Sequence, residues 1–180
     1  MIEIASKRYS QSLFEAATDQ DKLDLTFEEL AGLKRVIEDN QAFFKVLEYP
    51  FITFNEKIKT VNEVFSKSFD TIICDFLKVL IEKDRVNMLN EIIRDFEELY
   101  YDYKRLLKVQ VKTAFELDED YKVRLIDKLK EVFKQEVVIE VSTDPSIVGG
   151  LYIRAKDKVI DATIKGKLDK MKDNLLHDKN

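Results

Sequence analysis

The chain of 180 residues predicts a mainly α protein: an N-terminal six-helix bundle over residues 1–105, followed by a small C-terminal α/β module of order β-α-β-β-β-α over residues 106–180. Three observations carry this. Apolar residues recur at steps of three and four as far as Leu106, the signature of helices with one buried face. From Lys108 the period drops to two, the spacing of a strand. Only 4 Gly and 2 Pro interrupt the whole chain, so the helices run long.

Residues 3–18 read as the first helix, with Ala5, Tyr9, Leu13 and Ala16 on one stripe and Ile4, Phe14 and Ala17 on an adjacent one. Apolar surface this wide leaves a side for a partner. Residues 21–38 follow with Leu23, Phe27, Leu30, Val36 and Ile37 inward. A short helix around Phe43, Phe44 and Leu47 ends before Pro50, because proline disfavours helical geometry in its predecessor. Thr53-Phe54-Asn55-Glu56 has the pattern of a capping box, opening a helix lined by Ile58, Val61, Val64 and Phe65. Asp70 caps the next, whose apolar band is Ile72, Ile73, Phe76, Leu77, Leu80 and Ile81. After a break at Asp84-Arg85, a long helix is expected from Val86 to about Leu107, with Leu89, Ile92, Ile93, Phe96, Leu99, Tyr100, Tyr103 and Leu106 as its spine.

Val109, Val111 and Thr113 then alternate with polar residues. Asp118 can cap a helix through Gln135, carrying Tyr121, Leu125, Ile126, Leu129, Val132 and Phe133. Val137–Val141 is β-branched and reads as a strand. Gly149-Gly150 turns or bulges, Leu151–Ala155 and Val159–Ile160 read as strands, and Lys156-Asp157-Lys158 is a link of hairpin length. A last helix is expected to turn Ile164, Leu168, Met171 and Leu175 inward and its lysines outward.

Composition narrows the function. Apolar residues make up 45% and charged residues 36%, enough for a packed core. Up to Lys104 there are 14 Lys/Arg against 21 Asp/Glu, and beyond it 16 against 14. Neither half has the basic excess that the phosphate backbone of nucleic acid demands. No run approaches the ~18 apolar residues of a membrane span, and the charged opening lacks the apolar core of a signal peptide. Cys74 is the one cysteine, so no internal disulfide forms.

No catalytic, cofactor or metal site assembles. His177, the one histidine, sits at the chain end, where geometry is not fixed. Cys74 reads as a small core residue with no base to activate it. Gly149-Gly150 leads into a strand, whereas phosphate loops lead into a helix. Asp161 reads as a helix cap; a minimal site built on Asp161 and Arg154 would need a deep pocket around them. The residues alone leave an interaction module favoured over an enzyme.

The run from Asp144 to Leu168 adds a sharper signal. Its Gly149-Gly150-Leu151-Tyr152-Ile153-Arg154 and Val159-Ile160-Asp161 segments resemble the signature of the ATP synthase delta family, which includes the mitochondrial oligomycin-sensitivity-conferring protein. Ala5–Ala16 looks like that family's opening helix, with Ser10 and Ser12 where it prefers alanine. Phe76–Arg85, continuing into Leu89, Ile92 and Phe96, is similar to its fifth-to-sixth helix junction.

The resemblance implies a non-enzymatic peripheral-stalk subunit without cofactors, one copy per complex and monomeric alone. It implies a place at the cytoplasmic face of the cell membrane, reached only through the complex. The bundle would bind N-terminal segments of alpha subunits in grooves that include one between the first and fifth helices. The C-terminal part would bind the C-termini of b subunits. On this basis Ala5, Tyr9 and Leu13, facing Phe76, Leu77 and Leu80, are the groove candidates, and Leu13→Glu is expected to spare the fold. Gly149, Gly150, Asp161 and Leu168, together with the exposed face of the last helix, are the stalk candidates.

Overall fold

A computed structural model describes residues 2–49 and 51–177, excluding the side chains of residues 2, 3, 43, 48 and 173–177. The chain divides into two compact units, Met1–Tyr100 and Tyr101–Asn180.

Six α-helices form the first unit: α1 (Ile2–Asp19), α2 (Leu23–Asp39), α3 (Gln41–Glu48), α4 (Phe54–Phe65), α5 (Thr71–Glu82) and α6 (Leu89–Tyr103), with a 3-10 turn at Val86–Met88 before α6. Their ends follow from local chemistry. The capping box at α4 is complete: Glu56 N–H donates to Thr53 Oγ1, and Thr53 N–H donates back to Glu56 Oε2 at 3.0 Å. Asp84 takes a left-handed backbone, and Arg85 N–H reaches back to Leu80 O at 2.8 Å, closing the end of α5. The long helix stops at Tyr103 rather than Leu107. Arg105 adopts a positive φ of 55° and breaks the helical path, so Leu106, expected on the helix, opens a strand instead.

α5 lies deepest, with seven of its twelve residues buried. Around it Leu13, Leu30, Leu33, Val61, Phe65, Ile92, Ile93 and Phe96 close one continuous core. Each fully buried Leu, Ile or Phe contributes about 1.5–3 kcal/mol relative to exposure. Val64, expected inside, is exposed, because α4 turns its Lys57–Val61–Phe65 line, with Ile58 beside it, to the core.

Polar groups pin the helices to one another. Asp70 caps α5 by accepting Ile72 N–H at 3.1 Å, while Lys22 Nζ donates to both its oxygens at 2.8 Å. Its own N–H donates to the Glu29 carboxylate of α2 at 2.8 Å. The Lys22 ammonium, then the Ile72 amide, hold the Asp70 carboxyl below its ordinary value, whereas burial is the main cause that raises Glu29. Phe27 stacks on Tyr100 at 3.9 Å between ring centres, and the Tyr100 hydroxyl donates to Asp24 at 2.8 Å.

The second unit contains β1 (Leu106–Thr113), α7 (Glu119–Phe133), β2 (Glu136–Thr143), β3 (Leu151–Ala155), β4 (Lys158–Asp161) and α8 (Ile164–His177). The sheet order is β2-β1-β3-β4, with β1 parallel to β2 and the other pairs antiparallel. Asp118 caps α7 by accepting Tyr121 N–H at 2.6 Å, and Lys134 ends it in a left-handed conformation. One sheet face, carrying Leu107, Val109, Val111, Val137, Ile153 and Ala155, packs with Leu125 and Leu129 of α7 into a second core. The other face carries Lys108, Gln110, Lys112, Tyr152 and Arg154 and stays open. Such one-sided burial is usual for sheets with antiparallel pairs.

Two expectations of inward faces are corrected. In α7, Tyr121 and Val132 point to solvent, because Leu125 and Leu129 already fill the space above a four-stranded sheet. In α8, Ile164, Leu168 and Met171 are 50%, 60% and 62% exposed. Their stripe has no cover among the described residues; the side chains of Leu175 and His177 lie outside them.

Two outcomes follow for the first unit. Thr26 is fully buried, and its Oγ1 has no hydrogen-bond partner among the described residues. A methyl removes that desolvated group, so Thr26→Val should stabilise the protein by about 1 kcal/mol in chemical denaturation. Because the folded Asp70 carboxyl lies below its ordinary 3.8, its contribution is present above that value and fades as pH falls through the folded one. Asp70→Asn should therefore lower the melting temperature at pH 7, with the deficit shrinking below about pH 4. Glu29 works in the opposite sense, since its raised value makes ionisation at high pH a cost.

Candidate functional site

Two surfaces gather the residues singled out from the sequence, one in each unit. In the first unit α1 packs against both α2 and α5. The core-facing line of α1 is Ser6, Ser10, Leu13 and Ala17, one step round from the expected stripe. Small hydroxyl residues can hold this line because their oxygens are satisfied. Ser6 Oγ donates to Asp95 Oδ2 of α6 at 2.6 Å, and Ser10 Oγ donates to Lys7 O at 3.0 Å.

Leu13 is 3% exposed, so the expectation that Leu13→Glu would spare the fold is corrected. A carboxylate there would be stripped of water in an apolar core. Leu77 and Leu80 also sit in the core, and Phe76 is buried at its edge. Ala5 and Tyr9, half-buried, form the rim of α1. The rim of α5 also contains Val79, 42% exposed and not among the groove candidates above. Its position gave the signal: Phe76, Val79 and Lys83 share one helix face at steps of three and four. Lys83 is raised first by its bond to Glu82 Oε1 at 2.8 Å, then by the charge of Glu82.

In the second unit the structure brings Gly149, Gly150 and Asp161 together at the start of α8. Gly149 O accepts Ile164 N–H at 2.9 Å, and Leu151 O accepts Ala162 N–H at 2.9 Å. Gly150 has φ of +87°, and an added Cβ would meet the Ala162 carbonyl and lie 2.8 Å from Thr163 Cα. Asp161 Oδ1 accepts Thr163 N–H at 2.9 Å and Thr163 Oγ1–H at 2.7 Å, and both bonds hold its carboxyl below the ordinary range. Thr163 Oγ1 in turn accepts Gly166 N–H at 3.0 Å, capping α8. A side chain at Gly166 would run into Asp161, its Cβ 2.6 Å from Cγ. These residues aim α8.

What α8 then presents is apolar. Ile164 lies against Gly149, and one and two turns on are Leu168 and Met171. Beside Gly149-Gly150, a hollow of about 170 Å³ is lined in part by Phe115 and Tyr121, both exposed. The surface has the composition of a protein-docking patch. Arg154 and Asp161 do not converge: Asp161 is engaged with Thr163, and Arg154 points into a shallow cleft on the open sheet face. Burial pushes the Cys74 thiol up. No helix is long and apolar enough to cross a membrane, among the described residues.

The glycine geometry sets a test. Gly150→Ala forces an L residue into positive φ against the backbone at the start of α8, and should cost at least about 1–2 kcal/mol. Thermal and chemical unfolding of the variant beside wild type check this.

Comparison with known proteins agrees with this architecture. A family model described as "ATP synthase delta (OSCP) subunit" matches residues 5–175. ATP synthase subunit delta of Clostridium perfringens (strain SM101 / Type A) is 34% identical over 176 residues, covering 98% of each chain. That of Clostridium kluyveri is also 34% identical, covering 98% of this chain and 97% of its own. A chain in the cryo-EM structure of the Toxoplasma gondii mitochondrial ATP synthase hexamer shares the fold, with a TM-score of 0.76 at 17% identity, over 95% of this chain and 97% of that one. With a match along nearly its whole length, this chain belongs to the ATP synthase delta (OSCP) subunit family.

Proposed function

We propose that the protein is a non-catalytic subunit of the peripheral stalk of a proton-translocating F-type ATP synthase. It links N-terminal segments of the alpha subunits to the C-termini of the b subunits at the cytoplasmic face of the membrane. Holding the catalytic head against rotor torque requires affinity without chemistry. Two separate attachments on one scaffold supply it through effective concentration.

The observation that carries the stalk half is α8. It is anchored at its start by Gly149, Gly150 and Asp161 and shows Ile164, Leu168 and Met171 to solvent in a single stripe. Spacing of four and three is the pattern by which a helix meets another amphipathic helix. For the head half, Leu13, Phe76, Leu77 and Leu80 form the floor between α1 and α5, and Ala5, Tyr9 and Val79 the rim that an incoming alpha segment would touch. Membership of the family supports both assignments.

A charge placed in the stripe tests the stalk half. Leu168→Asp should leave the melting temperature within a degree or two, because the side chain is already exposed. It should weaken binding of the b subunit's C-terminal region to the full-length chain by about tenfold or more in calorimetry. An unchanged affinity with an intact fold would remove α8 from the interface.

A further inference from the structure

The open face of the sheet is the second unit's other unpartnered surface, and its chemistry differs from that of α8. Strand register fixes who stands beside whom. Gln110 pairs with both Glu140 and Arg154, and Lys112 with both Ser142 and Tyr152. Lys112 and Arg154 are therefore diagonal neighbours on one face, with Cβ atoms about 7–8 Å apart or less. Tyr152 pairs onward with Asp161. Gln110, Lys112, Tyr152 and Arg154, with Asp144 and Ser146, line much of a cleft of about 360 Å³.

Each acidic group near this face already has one oxygen engaged. Glu140 accepts from Gln110 Nε2 at 3.5 Å and lies 3.4 Å from Lys108 Nζ. Asp144 Oδ1 accepts from Ser146 N–H at 3.0 Å and Oγ–H at 2.6 Å; these bonds lower its carboxyl most, and Lys112 adds a smaller effect through its charge. Asp161 Oδ1 is taken by Thr163. Lys112 and Arg154, by contrast, make no hydrogen bond or ion pair among the described residues. Both cations are therefore available as donors to a partner. Lys112 brings three N–H donors and Arg154 five in a planar fork that fits a carboxylate with two parallel bonds.

We infer that this cleft docks a carboxylate-rich segment of a partner protein, with Arg154 gripping one carboxylate and Lys112 a second beside it. The identity of the partner rests on the stalk reading, which makes it a b subunit; the carboxylate chemistry rests on the cleft alone. The two surfaces divide the labour. The α8 stripe supplies apolar area, and the cleft supplies register and a salt-dependent on-rate.

The test is an NMR titration of the full-length protein with hexaglutamate, run beside inorganic phosphate. Shifts are expected to cluster at Gln110, Lys112, Tyr152 and Arg154, including the Arg154 side-chain Nε–H. Affinity should fall about tenfold or more in the Arg154→Gln/Lys112→Gln double variant, and also on raising salt from 0.05 to about 0.5 M. Both side chains are exposed and unpaired, so the variant should melt like wild type, and Arg154→Lys should recover part of the binding. Shifts scattered over the surface, phosphate filling the cleft where hexaglutamate does not, or an unaltered double variant would each overturn the proposal. The b subunit's C-terminal region is then titrated into the same proteins. Weaker binding to the double variant supports the partner assignment, and equal binding overturns it. Failure to bind wild type at all sinks the stalk reading, while the hexaglutamate result still decides the cleft.

Discussion

The first unit depends on burying α5. Seven of its twelve residues face the core, which leaves little room on that helix for polar side chains to satisfy its ends. Asp70 meets the need at the N-terminus. One carboxylate caps Ile72 N–H and receives Lys22, while the same residue's amide is held by Glu29. The start of α2 and the start of α5 are thereby fixed together before any apolar contact is counted. At the other end Asp84 and Arg85 wrap the last carbonyls into a left-handed turn. With both ends secured, α1, α2, α4 and α6 can pack around α5, and its one exposed edge, at Val79 and Lys83, becomes a surface next to α1.

Much of this was legible because it is local. The capping box Thr53–Glu56 and the caps at Asp70 and Asp118 involve residues three or fewer positions apart, and such bonds form wherever the sequence places the groups. The limits of β3 follow from alternation and from Gly149-Gly150. The core-facing line of α1 was harder. Its members include Ser6 and Ser10, which hydropathy counts as polar, and they are inside because Asp95 and Lys7 O, 89 and 3 residues away, take their hydroxyls. The end of α6 is hidden in the sequence for a related reason. Leu106 keeps the helical period, and only the positive φ at Arg105 shows that the chain has turned.

The candidate sites divide along the same line. Periodicity reveals that a helix has an apolar face; it does not say what lies on it. The stripe Ile164–Leu168–Met171 and the stripe Leu13–Ala17 look alike as sequence, yet one is open and the other closed. Likewise Gly149, Gly150 and Asp161 could be recognised as special, but their shared role of aiming α8 emerges only once Ala162 and Thr163 are seen against the glycine backbone.

The junction at Arg105 bears on mechanics. No glycine or proline lies between α6 and β1, so tension carried along the chain passes from helix to strand through two residues, Lys104 and Arg105. It arrives on β1, an interior strand bonded to β2 along its whole length and to β3 over its second half. Pulling β1 lengthwise would strain many of those bonds at once, in shear, whereas a lengthwise pull on the edge strand β4 would load only its single ladder to β3. The second unit is thus entered through its most extensively bonded strand.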